Sequence, residues 1–462
     1  MEKHELVDED AIPTLEQPCG IVLAHDERLI RPIERTGPAF WIGVSILLLI
    51  AAWGGFAWLT QLRRGLQTTG LNVPVYWGLY ITNFVFFIGI SHAGTLISAI
   101  LRLAHAEWRR SITRAAEVIT VLVLFFGMGC IILDLGRPDR ALNVLKHGNF
   151  TSPLLWDVAS VATYLTASTI YLYLPLIPDI AILRERLPRR RWLYGPLSLG
   201  WTGSEKQQRI LDRAIATMAV IVIPIAVSVH TVVSWVFAMT VQPMWHSTIF
   251  GPYFVVGAIF SGIAAIIIAM AIIRRAYHLE AYLKPIHFNN LGILLLVMSL
   301  LWFYFTFAEF LTTYYGGEPT HMIVFLSKTE GEFSPLFWTM VVSCFVVPFA
   351  FLANRTTRGT VWGVVVASMS VELGMWLERF LIVVPSLSNP RLPMNAASYV
   401  PSWVEWSLFA AFVSMFILLY AVFTKLFPIV SIWEIREGRA HSLREVSERV
   451  ASYLPETTEA TR

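Results

Sequence analysis

Residues 152–157 read Ser-Pro-Leu-Leu-Trp-Asp, and residues 334–339 read Ser-Pro-Leu-Phe-Trp-Thr. Serine followed by proline is a helix entrance. Proline's fixed φ suits the first turn, and the N–H it lacks would have no partner there in any case. Each phrase opens a long apolar run. The same entrance, written twice, points to a duplicated helical unit in which one copy carries a carboxylate and the other a hydroxyl.

The rest of the sequence says where such units sit. Of 462 residues, 56% are hydrophobic and only 15% charged, against about a quarter charged in a soluble globular chain. Ten apolar stretches approach the ~20 residues that cross a bilayer as a helix: 39–61, 74–103, 115–136, 152–178, 212–241, 248–275, 288–316, 333–354, 359–384 and 403–427. The sequence therefore predicts an all-α polytopic membrane protein. The polar, acidic first segment has no short apolar core before a small-residue cleavage site and reads as a soluble arm. Cys19, Cys130 and Cys344 have no CxxC spacing, so no disulfide framework, cluster site or zinc site is expected, and no cofactor held by metal ligands. The net charge of +3 is small, and no nucleic-acid partner is expected.

Arginines and lysines gather in alternate loops: Arg28, Arg31 and Arg35, then Arg109, Arg110 and Arg114, then Arg184 to Arg191, then Arg274 and Arg275, then Arg355 and Arg358. The positive-inside rule puts these loops and both termini in the cytoplasm.

The repeat extends beyond the opening phrase. "GISHAG" (89–94) matches "GAIFSG" (257–262), and "SVH" (228–230) matches "SVE" (370–372), in the same order and four spans apart. An even number of spans per unit makes the repeats parallel, unlike the inverted pairs of many transporters. The predicted organisation is an arm at 1–38, a first span and outer loop at 39–73, one four-helix bundle at 74–241, a second at 242–384, an outer loop and last span at 385–427, and a charged tail at 428–462.

An ionisable side chain in a span is costly and marks function. In the first unit these are His92, Asp134, Asp157 and His230; in the second, Glu309, Glu372, Glu378 and Arg379. Asp134 and Arg137 belong to "DLGRPDR" at the outer end of the third span, and Asp157 lies at the outer end of the fourth. A pocket of His92, Asp134, Arg137 and Asp157 under an apolar roof suits a quinol. Imidazole and carboxylate would hydrogen-bond its hydroxyls and take their protons as electrons depart, with His92 and Asp157 as the proton acceptors. Helix capping by Asp134, a dipole contact by Asp157 and a packed core histidine at 92 are the structural alternatives. One haem between His92 and His230 is a further alternative. His230, Tyr304, Glu309, Glu372 and Glu378 are candidates for a proton route, or for polar contacts that lock helices.

"GISHAG", "DLGRPDR" and "SPLLWD" on a ten-span plan resemble the NrfD/polysulfide reductase membrane-subunit family over about 39–427. Within it, the long arm and charged tail look most like the ActC-type subunit of alternative complex III, with the ActF-type paralogue as the near alternative. The resemblance implies a subunit of the bacterial cytoplasmic membrane that oxidises quinol or menaquinol without a redox cofactor of its own. It implies an iron–sulfur partner on the outer face, multihaem cytochromes that carry the haems, and a paralogous NrfD-like membrane subunit beside it. A proton or solute transporter without a redox step and a purely structural anchor are the competing readings.

Overall fold

The computed structural model describes residues 27, 29–104, 106–392 and 397–438. The acidic stretch from Glu2 to Asp10, Cys19 and the tail beyond 438 lie outside the described residues. Among those described there is no strand, and ten helices are long and apolar enough to span a membrane: α1 Pro38–Arg64, α2 Leu79–Leu103, α3 Thr113–Asp134, α4 Pro153–Arg186, α5 Glu205–Ala238, α6 Phe250–Ala276, α7 Pro285–Gly316, α8 Ser334–Ala353, α9 Val361–Ser388 and α10 Trp403–Leu426. The protein is an all-α polytopic membrane protein. Its apolar stretches predict the helices well except where helix outlasts hydrophobicity. α4 continues to Arg186 and α5 begins at Glu205, because charged turns extend a helix beyond the apolar layer without breaking its backbone hydrogen bonds.

Helices α2–α5 pack among themselves, as do α6–α9, and α1 pairs with α10. The helices that carry the two glycine phrases, α2 and α6, lie against each other at the centre. Small residues make these approaches possible, as expected where dispersion must drive helix association. A Cβ on Gly94 would sit 1.9 Å from the Ala116 carbonyl oxygen of α3, a backbone atom that a rotamer change cannot move. Gly94→Ala is therefore expected to lower stability by about 1–3 kcal/mol or more, as overpacking does, and thermal unfolding of the purified protein measures it.

Both Ser-Pro phrases do open helices. Pro153 is the first residue of α4, and Pro335 the second of α8. Their tryptophans repeat a role: Trp156 Nε1 donates to the Phe150 carbonyl at 2.7 Å, and Trp338 Nε1 to the Thr329 carbonyl at 3.2 Å. Each pins the incoming loop to the helix. The sixth positions diverge more than the letters suggest. Asp157 is 4% exposed, whereas Thr339 is exposed and donates to its own helix at Pro335 O, 2.7 Å away. The two entrances share a backbone role but present different faces to their bundles.

α8 contains a π turn at Val342–Val346, just before Pro348. Proline cannot donate to the carbonyl four residues earlier, and that carbonyl, Cys344 O, accepts instead from Ser299 Oγ of α7 at 2.7 Å. The backbone group left without a partner becomes a tie between helices.

Beyond α10, residues 428–434 are buried. They fill a crevice between the ends of α2, α3 and α4. Asp179 of α4 accepts from the backbone N–H of Ile432 (3.1 Å) and Trp433 (3.0 Å) and from the Arg114 guanidinium of α3. Arg114 also donates to the carbonyls of Pro428 (3.1 Å) and Pro175 (2.8 Å). Glu434 meets Arg102 at 2.7 Å and Arg109 at 3.3 Å.

Candidate functional site

His92 lies in the middle of α2, and His230 on α5. Both are fully buried, with ring centroids 3.8 Å apart. His92 Nε2 reaches the Ala226 carbonyl at 2.6 Å, and Nδ1 faces the Ile88 carbonyl at 3.3 Å. A neutral imidazole can donate only once, so the shorter contact takes the proton and fixes the tautomer. Neither nitrogen of His230 has a hydrogen-bond partner. Rings in such contact leave no room for a macrocycle between them, and the haem alternative does not fit this geometry.

From His92 a column of buried hydroxyls runs down the first bundle. Tyr164, whose ring is 5.4 Å from that of His92, donates to Ser91 O at 3.0 Å. Thr120 donates to the same carbonyl at 2.7 Å and accepts from the Thr95 N–H at 3.1 Å. Thr95 Oγ1 meets Ser168 Oγ at 3.2 Å. One turn further along α2, Ser98 donates to Glu117 Oε1 at 2.6 Å and lies 3.3 Å from Tyr171 Oη. The column ends where Arg102 binds Glu434 of the docked tail. Helical spacing explains the alignment: residues 91, 95, 98 and 102 on α2 and 164, 168 and 171 on α4 each occupy one stripe.

At the opposite end of α4, Asp157 is buried and its Oδ1 has no hydrogen-bond partner. Asp134 at the end of α3 has the same property at Oδ1. It borders a different group, in which Tyr80 donates to Gln61 Oε1 at 2.5 Å and Gln61 to Leu133 O at 2.8 Å. Arg137 is 63% exposed and binds Asp139 through two contacts of 3.1 Å. Those contacts hold the Asp139 carboxyl below its ordinary range. Among the described residues, no hydrogen bond or ion pair joins Asp134, Arg137 and Asp157. The structure thus brings His92 to His230 and leaves Arg137 at the surface.

The second bundle holds its own polar interior. Trp302 Nε1 donates to Glu378 Oε1 at 2.5 Å. Arg379 Nη1 forms an ion pair with Glu378 Oε2 at 2.9 Å, outside hydrogen-bond alignment, and its guanidinium lies 5.2 Å from the Phe254 ring centroid. A Cβ on Gly257 would fall 2.7 Å from Arg379 Nη2, so the glycine makes room for the cation. Glu309 accepts from Ser247 Oγ at 2.5 Å. A cavity of ≈ 30 Å³ is lined by Tyr253, Thr306, Glu309, Lys328 and Glu378, enough for water, which needs about 10–15 Å³. The carboxylate of Glu372 is buried beside the backbone of Ala265, without a hydrogen bond of ordinary geometry. Tyr304 instead projects outward, 62% exposed.

Several of these groups are absent from the candidate set read from the sequence. Glu117 lies inside the predicted third span, so a scan of the span ends would find it. Lys328 gives no such signal: it sits on the short helix Pro319–Thr329 among polar neighbours, yet is 6% exposed. Burial pulls its ammonium down to about 8, while the unfolded chain keeps that proton to near pH 10.4. Between these values the unfolded state binds more protons, so stability rises with pH. The thermal midpoint in detergent is expected to climb between pH 8 and 10, and this climb is lost in Lys328→Met.

Comparison with known proteins places the chain in a family. Residues 67–390 match the family described as "Polysulphide reductase, NrfD". A Halobacterium salinarum protein, provisionally named as a membrane subunit of dimethyl sulfoxide reductase, is 28% identical over 79% of this chain and 81% of its own. The Hdr-like menaquinol oxidoreductase integral membrane subunit of Archaeoglobus fulgidus is 23% identical over 87% of this chain and 96% of its own. The menaquinone reductase integral membrane subunit of Nitratidesulfovibrio vulgaris is 22% identical over 84% and 92% respectively.

Proposed function

Because the chain belongs to the polysulphide reductase NrfD family, we propose that it is the quinol-binding membrane subunit of an electron-transfer complex, with menaquinol as the substrate. Two relatives carry menaquinol or menaquinone in their names. The observation that carries the reading is Asp157: a buried carboxylate with an oxygen that no protein group satisfies. Such a group is expensive to keep and is suited to a ligand hydroxyl. Oxidation of a quinol releases two electrons and two protons. Asp157 accepts a proton at the outer end of the first bundle, and the His92–His230 pair lies deeper in the same bundle as the second acceptor. Asp134 and the exposed Arg137 lie at the outer end of α3 and make no hydrogen bond or ion pair with Asp157 among the described residues.

In this reading the electrons leave to a partner: an iron–sulfur subunit on the outer face, with multihaem cytochromes and a second NrfD-like subunit in a complex of the alternative complex III type. Among the described residues, no group of histidine, cysteine and carboxylate side chains could hold a metal ion. The chain sits in the bacterial cytoplasmic membrane with its termini inside. Protons cross along two polar strings: the hydroxyl column from His92 to Glu117 in the first bundle, and a route from His230 of the first bundle to Glu378 and Glu309 with cavity water in the second. Glu372 lies beside the second string, and Tyr304 outside it.

His92→Ala tests the reading. In the purified complex, quinol:acceptor turnover is expected to fall about 10²-fold or more, the scale of a lost proton-transfer group, with every partner protein still bound. Unchanged turnover would remove His92 from the mechanism.

A further inference from the structure

A cleft opens on the face of α5 next to the one that carries His230. That helix turns Ala226 and His230 toward α2, where they meet His92. Its adjacent face, with Val227, Thr231 and Trp235, borders a cleft of ≈ 730 Å³ shared with the start of α6 and with Phe305 of α7. That volume lies within the range of small-molecule sites, about 300–1,000 Å³. The walls along the helices are apolar apart from Thr231 and Ser234, whose hydroxyls donate to their own helix at Val227 O and Thr231 O. The polar groups His246, Ser247 and Thr248 gather at one end, in the loop between α5 and α6. This is the same end of the molecule at which α4 carries Asp157.

Two features narrow the ligand. The residues that line the cleft include no lysine, arginine, aspartate or glutamate. A phospholipid phosphate would find no cation there, while a neutral head with hydroxyl or carbonyl oxygens would find an imidazole and two hydroxyls. The polar end is also tied to the interior: Ser247 Oγ donates to Glu309 at 2.5 Å, and Glu309 lines the ≈ 30 Å³ cavity with Lys328 and Glu378. His246 is held by ring contact with His321, centroids 5.0 Å apart. The cleft is therefore a long apolar slot with a neutral, hydrogen-bonding end that abuts a buried polar network.

We infer that this α5–α6–α7 cleft is a second binding site for a neutral-headed isoprenoid lipid, a quinone or quinol, distinct from the site proposed at Asp157 in the first bundle. The ring lies at His246–Thr248 and the tail along Val227 and Trp235. No electron step is assigned to it. The site does not depend on Asp157 being the oxidation site.

The test uses the full chain in nanodiscs of phosphatidylcholine, with an azido-naphthoquinone bearing a short isoprenoid chain as photoprobe and adducts mapped by mass spectrometry. Adducts are expected within residues 227–256 in wild type and equally in Asp157→Asn. Val256→Trp, which fills the slot, should reduce them at least tenfold while leaving first-bundle adducts in place. Val227→Phe serves if Val256→Trp does not fold. Ser247→Ala should weaken labelling two- to fivefold. Excess menaquinone should displace the probe, and excess phosphatidylcholine should not. Displacement by phosphatidylcholine alone, or labelling unchanged by both slot-filling variants, overturns the proposal. Loss of first-bundle adducts with cleft adducts retained counts against the Asp157 pocket and supports the cleft.

Discussion

Asp157→Asn is expected to lower quinol oxidation by about 10²–10⁴-fold, the range for removing a positioned acid–base group, and to leave the assembled protein as stable as before or more so. Asparagine keeps the shape of the side chain but cannot take a proton. The stability half of the prediction separates a chemical role from a structural one. If Asp157 held helices together, a partner would satisfy it, and replacement would cost at least the ~1–3 kcal/mol of a broken buried hydrogen bond. Its Oδ1 has no such partner, so neutralising it removes a burden from the fold. Turnover in the purified complex and the thermal midpoint of the same preparation give the two readings. A fall in stability with turnover preserved would assign Asp157 to structure.

Asp179→Ala has the largest expected effect on stability. The carboxylate is fully buried, and the Arg114 guanidinium it binds is 3% exposed. Removing one partner of such a pair leaves an uncompensated charge and costs about 3–5 kcal/mol. Two backbone N–H groups of the tail lose their acceptor at the same time. The thermal midpoint should drop sharply, and the segment 428–438 should become a protease site. Asp179→Asn keeps an oxygen for those N–H groups and should cost less. Equal losses in both variants would locate the whole effect in the charge.

The spans were legible because hydrophobicity is a condition of residence in the bilayer and leaves runs that nothing else produces. The Ser-Pro entrances were legible for a similar reason, since proline at a helix start has one geometric meaning. Side-chain direction was not legible. Asp157 and Thr339 align in sequence yet face differently, and Arg137, adjacent to conspicuous acids, spends its charge on Asp139 at the surface. Facing depends on rotation of a helix against neighbours four spans away, and a short apolar helix has no polar stripe to reveal it. The burial of Lys328, Asp179 and Glu434 has no sequence signature, because they lie in polar or charged segments outside or at the ends of apolar runs. A buried ion pair and a solvated one have the same composition there. His92 and His230 could be placed inside spans by position, but their mutual contact is a tertiary fact.

The pairing of α1 with α10 has a consequence for how the protein is made. Gly54 lies so close to Ala411 that a Cβ would fall 2.2 Å from the alanine's own, and Trp53 Nε1 donates to Ser407 Oγ at 2.6 Å. Apart from that seam α1 is little covered, with 11% of its apolar window buried. Its partner α10 follows eight intervening spans, and the latch at 428–438 follows α10. α1 must therefore wait, facing lipid, until α10 has been made. A chain cut short before α10 would expose an unmatched glycine seam, and one cut before the latch would leave Arg102, Arg109 and Arg114 without their tail partners. The seam between α1 and α10 therefore closes only after every span between them has been made.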